Sequence, residues 1–564
     1  MSKVETEEQQ SARRNQVHPI VWLVLLSAGI NTAFQIAWFW RLTSHNINYD
    51  AISYIGIARH LLRGDITGSL NGYWSPLVSW CVAAVSRLSG NLTLLGRFVT
   101  IGSFLLCLPM LYLLTYRLWR SPLLAAVTVL WFTTARAVVA FSVYFIGADF
   151  LLTAFVLLYF VLLLRCLRHP SGLNWVLLGL AHGAAFLTKA IAMPWLTVST
   201  VMAGLLMGRR NLRRSFMYGC AGIAVPLLVW FAWGMALHSR YGVFTAGYQS
   251  KWNLLDQNAR EEADRSSSNL SVLRDTSRSS DAYMVVDNMF PKSPLWFTRI
   301  KWGSAIRVIL KKERQNFPKA LKEVTILLTP GGLLAIVLAL FAMRGRSQQP
   351  EVQLIGIIFV EAAILVVAYC MLVLDTRYVL PLAPLLMAVV VPFVIPARKT
   401  QFLSTRFPQG RMIASALLAL STIFFLVYWA SPFRTLGRDY QLSCYDAARK
   451  LQAIPHCNNL VVIGRGPYQE RGVGWEAGVY ASYFAQCRMI AFSSDVPGAD
   501  KIDATQRDLR NIEPDAILLF GNYRNPGFEN LEEAIQNVYP TFASEAIFDP
   551  EAGEVGELLW KAAR

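Results

Sequence analysis

Long apolar runs joined by short basic connections fill the first 430 residues, and they predict membrane helices. A hydrocarbon core takes about 20 apolar residues per helix, with about 17 as the lower limit. Eleven segments approach or reach that length: 19–40, 93–116, 122–143, 149–165, 174–190, 191–208, 215–237, 324–343, 352–374, 377–396 and 412–430. The fifth and sixth nearly touch. Between the spans, the pattern changes in two long polar loops, 41–92 and 238–323. In the first, DAISYIGIARHLLRG sets Ile52, Ile55, Ile57, Ala58, Leu61 and Leu62 at roughly helical spacing with Arg59, His60 and Arg63 between them, which predicts a helix lying in the interface and ended by Gly64. PLVSWCVAAVSRL, 76–88, is too short to span and predicts a segment resting at the outer surface. The second loop has a polar, mobile middle and closes on a basic amphipathic stretch, with Trp296, Phe297 and Trp302 among Arg299, Lys301 and Arg307, suited to anionic head groups.

After residue 430 the pattern shifts again. Helical runs alternate with extended ones: CYDAARKLQAI, NLVVIG, WEAGVYASYFAQ, RMIAFSS, ATQRDLRNI, DAILLFG, NLEEAIQNV and EAIF. That alternation predicts a small doubly wound α/β sheet. GRGPYQERG follows its first strand but is not a dinucleotide fingerprint, so the tail reads as an accessory domain without a cofactor.

Composition fixes the class and charge fixes the topology. With 54% hydrophobic residues in 564, the chain is too apolar for a soluble protein. The net charge of +17 would suit nucleic acid if it were a patch, but residues 431–564 carry 13 Lys/Arg against 18 Asp/Glu, so the excess lies in the membrane part. There it occupies short connections: Arg13 and Arg14, Arg117 and Arg120, Arg165 and Arg168, GRRNLRR at 208–214, Arg344 and Arg346, and 398–411. With eleven spans all of these fall on one face, which the positive-inside rule makes cytoplasmic. The expected layout is a cytoplasmic N-terminus at 1–18 on an uncleaved anchor, a multi-pass inner-membrane domain at 19–430, and an extracytoplasmic domain at 431–564. The lipid bilayer is then the partner and nucleic acid is not. Eight Cys form no metal pattern; Cys444, Cys457 and Cys487 lie in the tail, where one disulfide and one spare thiol are expected in an oxidising compartment.

Candidate chemistry gathers at the outer ends of the spans. Asp50 follows the first span and opens the interfacial helix, where low-dielectric surroundings can raise a carboxylate's proton affinity toward that of a base; capping that helix is its other use. Asp149 opens the fourth span, Arg136 lies near the outer end of the third, and Lys189 and Arg377 sit at the ends of two others. Charges at such depth usually face a polar cavity. Arg59 stands behind them, and Tyr49, Tyr54, His60, Tyr73, Trp74 and Tyr378 are the candidate walls of a donor or acceptor pocket. Glu361 and His182 lie deeper, where a structural hydrogen bond is the simpler reading.

Four stretches together resemble the GT-C class of polyprenyl-phosphate-sugar-dependent glycosyltransferases, in particular the bacterial family related to protein mannosyltransferases and the lipid A aminoarabinose transferase. They are YDAISYIGIARHLLRG with YWSPL, GADFLLTAFVLLY, LGLAHGAAFLTKAIAMPW and TRYVLPLAPLL, within residues 19–396. The resemblance implies a GT-C-like membrane fold and an inverting transfer from a polyprenyl-phosphate-linked sugar to an outer hydroxyl on a glycan, lipid or protein, with Asp50 as general base. It also implies a second acidic position, matched by Asp149, that orients the acceptor or helps hold a divalent cation. Family members often carry an acidic pair at the first position, whereas Ala51 follows Asp50 here. Leaving phosphate has a second pKa of about 6, so cations serve it better than a general acid; Lys189 and Arg377 are the expected phosphate ligands, with Arg136 and Arg59 behind them. A transporter or flippase would use the same outer charges, with Glu361 and His182 for proton coupling, but the chain has no internal repeat and carries large polar insertions on one face.

Overall fold

The computed structural model describes residues 19–43, 47–208, 212–247, 271–272, 313–320, 349–371, 376–394, 440–455, 457–464, 474–493, 502–520, 526–549 and 553–561, with a few isolated positions beside them. Contacts divide the chain into two units. One comprises Met1–Ser44, Leu94–Trp233 and Leu310–Ala430; the other comprises His45–Thr93, Gly234–Ile309 and Ser431–Arg564.

The first unit is helical. Among the described residues, five helices are long and apolar enough to cross a membrane: Pro19–Arg41, Leu92–Trp119, Asp149–Arg168, Phe216–Tyr241 and Pro350–Met371. Gly172–Thr188, Ala192–Met207 and Leu382–Pro392 are shorter apolar helices at three further expected spans. The spans expected at 324–343 and 412–430 lie outside the described residues.

The span expected at 122–143 is not continuous. Its helix runs Pro122–Thr134, the chain turns extended at Ala135 (φ −69°, ψ 90°), and a second helix runs Arg136–Tyr144. A break frees carbonyl groups that lipid cannot satisfy. Here Asn31 and Gln35 of the first helix donate to the Thr133 carbonyl at 3.0 and 3.1 Å. Two polar side chains in an apolar run therefore serve the kink of a neighbour.

Close packing explains a second cluster. Gly179 and Gly183 form a GxxxG face, where an added Cβ would lie 2.8 Å from Val225 and 3.0 Å from Val229. Small residues at this spacing let helix backbones approach closely. His182, between them, places Nε2 3.2 and 3.1 Å from the Ala192 and Met193 carbonyl oxygens, a structural hydrogen bond at a helix start. Glu361 is fully buried beside Trp195, whose indole donates to the Glu361 main-chain carbonyl at 3.0 Å. Tyr159 ties in the next layer through Ser199 at 2.9 Å and Thr200 at 2.7 Å.

The second unit joins the first loop to the tail. Its sheet has the order β1-β3-β2-β4-β6-β5, with β1 Ser271–Val272, β2 Asn459–Gly464, β3 Arg488–Ser493, β4 Ala516–Phe520, β5 Phe542–Asp549 and β6 Gly553–Lys561. β3, β2 and β4 are parallel, as the βα alternation predicts. The far side is not: β5 and β6 form an antiparallel hairpin on β4, so the sheet is mixed and not doubly wound throughout. The strand GEVGELLWK escapes the sequence pattern because Gly and Glu interrupt its apolar run. On the near side, Ser271–Val272 from the long polar loop pairs antiparallel with β3, so part of the loop's expected mobile middle is an edge strand.

Val461, Ile463, Ile517 and Leu519 of the central strands pack with Leu509, Leu531 and Ile535 of the covering helices. Gly464 closes β2 at φ +101°, and a Cβ there would fall 1.8 Å from the Phe520 carbonyl oxygen. Gly464→Ala is expected to cost the sheet about 3 kcal/mol through overpacking and backbone strain. Faster hydrogen exchange in 459–464 and 516–520 would report it; protection equal to that of the unaltered protein would contradict the geometry.

Candidate functional site

In the first unit, FIGADF ends one helix and starts the next. Phe145 is extended, Gly147 turns, and Asp149 is the first residue of Asp149–Arg168, where a carboxylate is favoured by the helix N-terminus. Gly147 has no room for a side chain without crowding: a Cβ would meet the Phe145 ring at 3.2 Å and the Asp149 carboxylate at 3.5 Å. Lys189 is the extended C-cap of Gly172–Thr188. Its Nζ lies 2.5 Å from Asp149 Oδ1, with side chains only 11% and 9% exposed. Two predicted site residues, forty positions apart, are thus one buried ion pair.

Arg377 and Tyr378 join them from the 3₁₀ turn Thr376–Val379. Tyr378 stacks on Tyr369 at 4.9 Å, and the Lys189 ammonium sits 4.3 Å from the Tyr378 ring centroid. The Arg377 guanidinium lies 4.3 Å from the centroid of Phe145 and 4.9 Å from that of Tyr378. Aromatic faces hold both cations by their quadrupoles. Beside Arg377 opens a small pocket lined by Phe141, Phe145, Gly147, Asp149, Phe150, Arg377 and Leu380. Arg136 opens its helix at 136, and its side chain lies outside the described residues.

In the second unit, the interfacial helix runs Tyr49–Leu62 and ends where expected, at Arg63 and the left-handed Gly64 (φ +76°). Asp50 does not cap it. The cap position is Asn48, and Asp50 is the helix's second residue, 6% exposed. The side chain of Tyr49 lies outside the described residues. Tyr54, Tyr73 and Trp74 do come together: Trp74 lies edge-on to Tyr54 at 5.5 Å and to Tyr73 at 4.6 Å. Asn71 fixes that corner by accepting from the Tyr73 and Trp74 amides, both at 2.8 Å.

His60 is engaged differently. Its Nδ1 is 2.8 Å from Asp65 Oδ2, while Asp65 Oδ1 accepts from the Gly68 amide at 2.8 Å to cap Ile66–Ser69. The Gly68 amide, with His60 and Arg240 helping, holds the Asp65 carboxyl below its usual range. Arg240 also donates to the Gly68 and Leu70 carbonyls, and Gly72 donates to the Tyr241 hydroxyl at 3.2 Å. Arg59 stacks over Tyr483 of the tail at 5.3 Å, and the Tyr483 hydroxyl bonds Thr93. Asp65, Asn71, Arg240 and Tyr483 are the supports that sequence reasoning missed. Asn71 stands two and three residues before the amides it caps, and Asp65 three before the Gly68 amide, which are readable turn signals; the contacts of Arg240 and Tyr483 span too much chain to carry one.

Among the described residues, no three His, Cys, Asp or Glu side chains gather as a metal-donor set. The Asp149 carboxylate faces an ammonium instead of a second acid. The residues present therefore do not fit a divalent cation at that position.

Residues 74–233 match a family model described as dolichyl-phosphate-mannose-protein mannosyltransferase. The chain is 29% identical over 230 residues to an undecaprenyl phosphate-alpha-4-amino-4-deoxy-L-arabinose arabinosyl transferase of Pseudomonas paraeruginosa, covering 39% of this chain and 41% of that protein. A Pseudomonas fluorescens protein of the same name, numbered 1, is 31% identical over 166 residues, 28% of this chain and 30% of its own. The aligned stretch thus spans about two fifths or less of these relatives. Among solved structures, ArnT from Cupriavidus metallidurans bound to undecaprenyl phosphate aligns over 95% of this chain and 98% of its own, with TM-score 0.51 and 15% identity. Its apo form aligns over 97% and 99%, with TM-score 0.53 and 15% identity. These matches bear out the resemblance drawn from the motifs: the chain has an ArnT-like GT-C fold, mostly helical, with a strand-containing C-terminal part.

Proposed function

We propose that this chain is a membrane glycosyltransferase that moves a sugar from an undecaprenyl-phosphate-linked donor to the hydroxyl of a glycolipid acceptor, with inversion. The observation that carries this reading is the pocket beside Asp149 and Arg377, with the Lys189 ammonium held against Asp149 and Tyr378. Two cations with aromatic backing suit a phosphate that gains charge as its sugar leaves. The names of the matched relatives add the donor class and point to a 4-amino-4-deoxypentose as the sugar.

In the proposed reaction, Asp50 takes the proton of the acceptor hydroxyl. The oxygen attacks the anomeric carbon from the face opposite the phosphate, and the bond between that carbon and the phosphate oxygen breaks. Lys189 and Arg377 neutralise the phosphate monoester that leaves, and Asp149 holds Lys189 in place. Tyr54, Tyr73 and Trp74 offer aromatic faces to a sugar ring. We further propose eleven spans, an N-terminus on the cytoplasmic side of the inner membrane, and loops 41–92 and 238–323 and the tail 431–564 outside it.

The test is transfer by purified protein in detergent, with no ion gradient, given undecaprenyl phosphate-linked 4-amino-4-deoxy-L-arabinose and a glycolipid acceptor. Release of undecaprenyl phosphate with an acceptor heavier by one sugar supports the reading. An intact donor that moves across reconstituted vesicles only under a gradient would assign the chain to transport instead. Arg377→Ala is expected to lower kcat/KM for the donor by roughly 10- to 100-fold, the loss of one charge-assisted hydrogen bond of about 1.5–3 kcal/mol. Unchanged kcat/KM would remove Arg377 from the phosphate site.

A further inference from the structure

β2 and β3 are parallel neighbours, with Asn459 opposite Arg488. Cys457 lies two residues before the first of these and Cys487 one residue before the second, so both stand at the same end of the strand pair. The Arg488 amide donates to the Asn458 carbonyl at 3.0 Å, which carries the ladder down to the level of the two cysteines. The Asp515 carboxylate fixes the approach to β2 by accepting from the Asn458 and Asn459 amides at 3.0 and 2.9 Å. Counted from the Asn459–Arg488 pair, Cys457 stands one residue further down its strand than Cys487, so strands about 4.8 Å apart with a rise of about 3.3 Å per residue set the two Cα atoms about 6 Å apart, inside the separations of about 4.4–6.8 Å that a disulfide spans. The structure holds both residues as thiols, and they hydrogen-bond to each other. The third tail cysteine, Cys444, is fully buried on the helix Tyr440–Ala453.

We infer that Cys457 and Cys487 close a disulfide that staples β2 to β3 and leaves Cys444 as the tail's remaining thiol. The inference rests on the proposal that the tail lies outside the cytoplasm. Cys457 is half-buried and Cys487 buried, and the hydrogen bond from Cys487 holds the Cys457 thiol below its usual range. Cys457 is therefore the attacking thiolate. It displaces one sulfur of an oxidant protein's disulfide to give a mixed disulfide. Cys487 then attacks the Cys457 sulfur, so that the Cys457–Cys487 bond forms and the oxidant leaves as a dithiol carrying the two electrons and two protons.

Trypsin separates the three cysteines, since cuts after Lys450, Arg465, Arg471 and Arg488 release Leu451–Arg465 and Gly472–Arg488, while Cys444 falls in an earlier peptide. Full-length protein is taken from membranes, alkylated under denaturing conditions without reductant, digested and weighed. The expected product is Leu451–Arg465 joined to Gly472–Arg488, two hydrogens lighter than the pair of thiol peptides, with Cys444 alkylated. C487S should leave Cys457 alkylated and Cys444 unchanged. A parallel sample is oxidised in detergent with glutathione disulfide. A link that forms there but is absent from cells would overturn the cellular disulfide by placing the tail in a reducing compartment, with the transfer reaction tested separately by donor consumption. No link in either sample, or a link to Cys444, would overturn the pairing itself.

Discussion

Asp50→Asn is expected to lower the rate of sugar transfer by about a thousandfold, within the range of about 10²–10⁴ typical for loss of a general base. The change keeps the side chain's size and its capacity to accept one hydrogen bond, and Asp50 is 6% exposed in a helix whose cap is Asn48. Thermal unfolding in detergent, measured beside product formation, separates loss of the base from loss of the fold: an Asn variant that still unfolds cooperatively while product formation collapses has lost the base. Asp50→Glu is a sharper probe. It keeps the base and moves it by one methylene, and a misplacement of about 1 Å can cost about a hundredfold. Transfer by the Asn variant within tenfold of the unaltered protein would take the base role from Asp50.

How much of this was readable from the chain depended on range. The helices that register over their own length, such as Pro19–Thr43 and Asp149–Arg168, follow from twenty-odd consecutive apolar residues and need no partner. The stop at Gly64 was equally local, because only its own φ was at issue. The kink at Ala135 was not, since the helix tolerates it only through Asn31 and Gln35, a hundred residues earlier. The tail divides the same way: apolar runs announce β2, β3 and β4, whereas β6 is a strand because β4 and β5 flank it. At the candidate site, Asp149, Lys189 and Arg377 were each legible as charges at the ends of apolar helices. That Lys189 would pair with Asp149 depended on which helix ends meet.

The Asp149–Lys189 pair allows role and support to be told apart. Lys189→Met removes a cation from the proposed phosphate site and leaves a carboxylate that is 9% exposed without its partner. Breaking a buried pair from one side costs about 3–5 kcal/mol, because the remaining charge is stranded in low dielectric. Lys189→Met alone should thus lower both the unfolding temperature and the transfer rate, and the second loss could follow from the first. Adding Asp149→Asn removes the stranded charge. The double variant is expected to recover most of the lost stability, a coupling that a double-mutant cycle reads directly, while transfer stays at least a hundredfold down because no ammonium faces the phosphate. Were transfer to return together with stability, Lys189 would be a strut for the helix end at Asp149, and the phosphate would have to be met by Arg377.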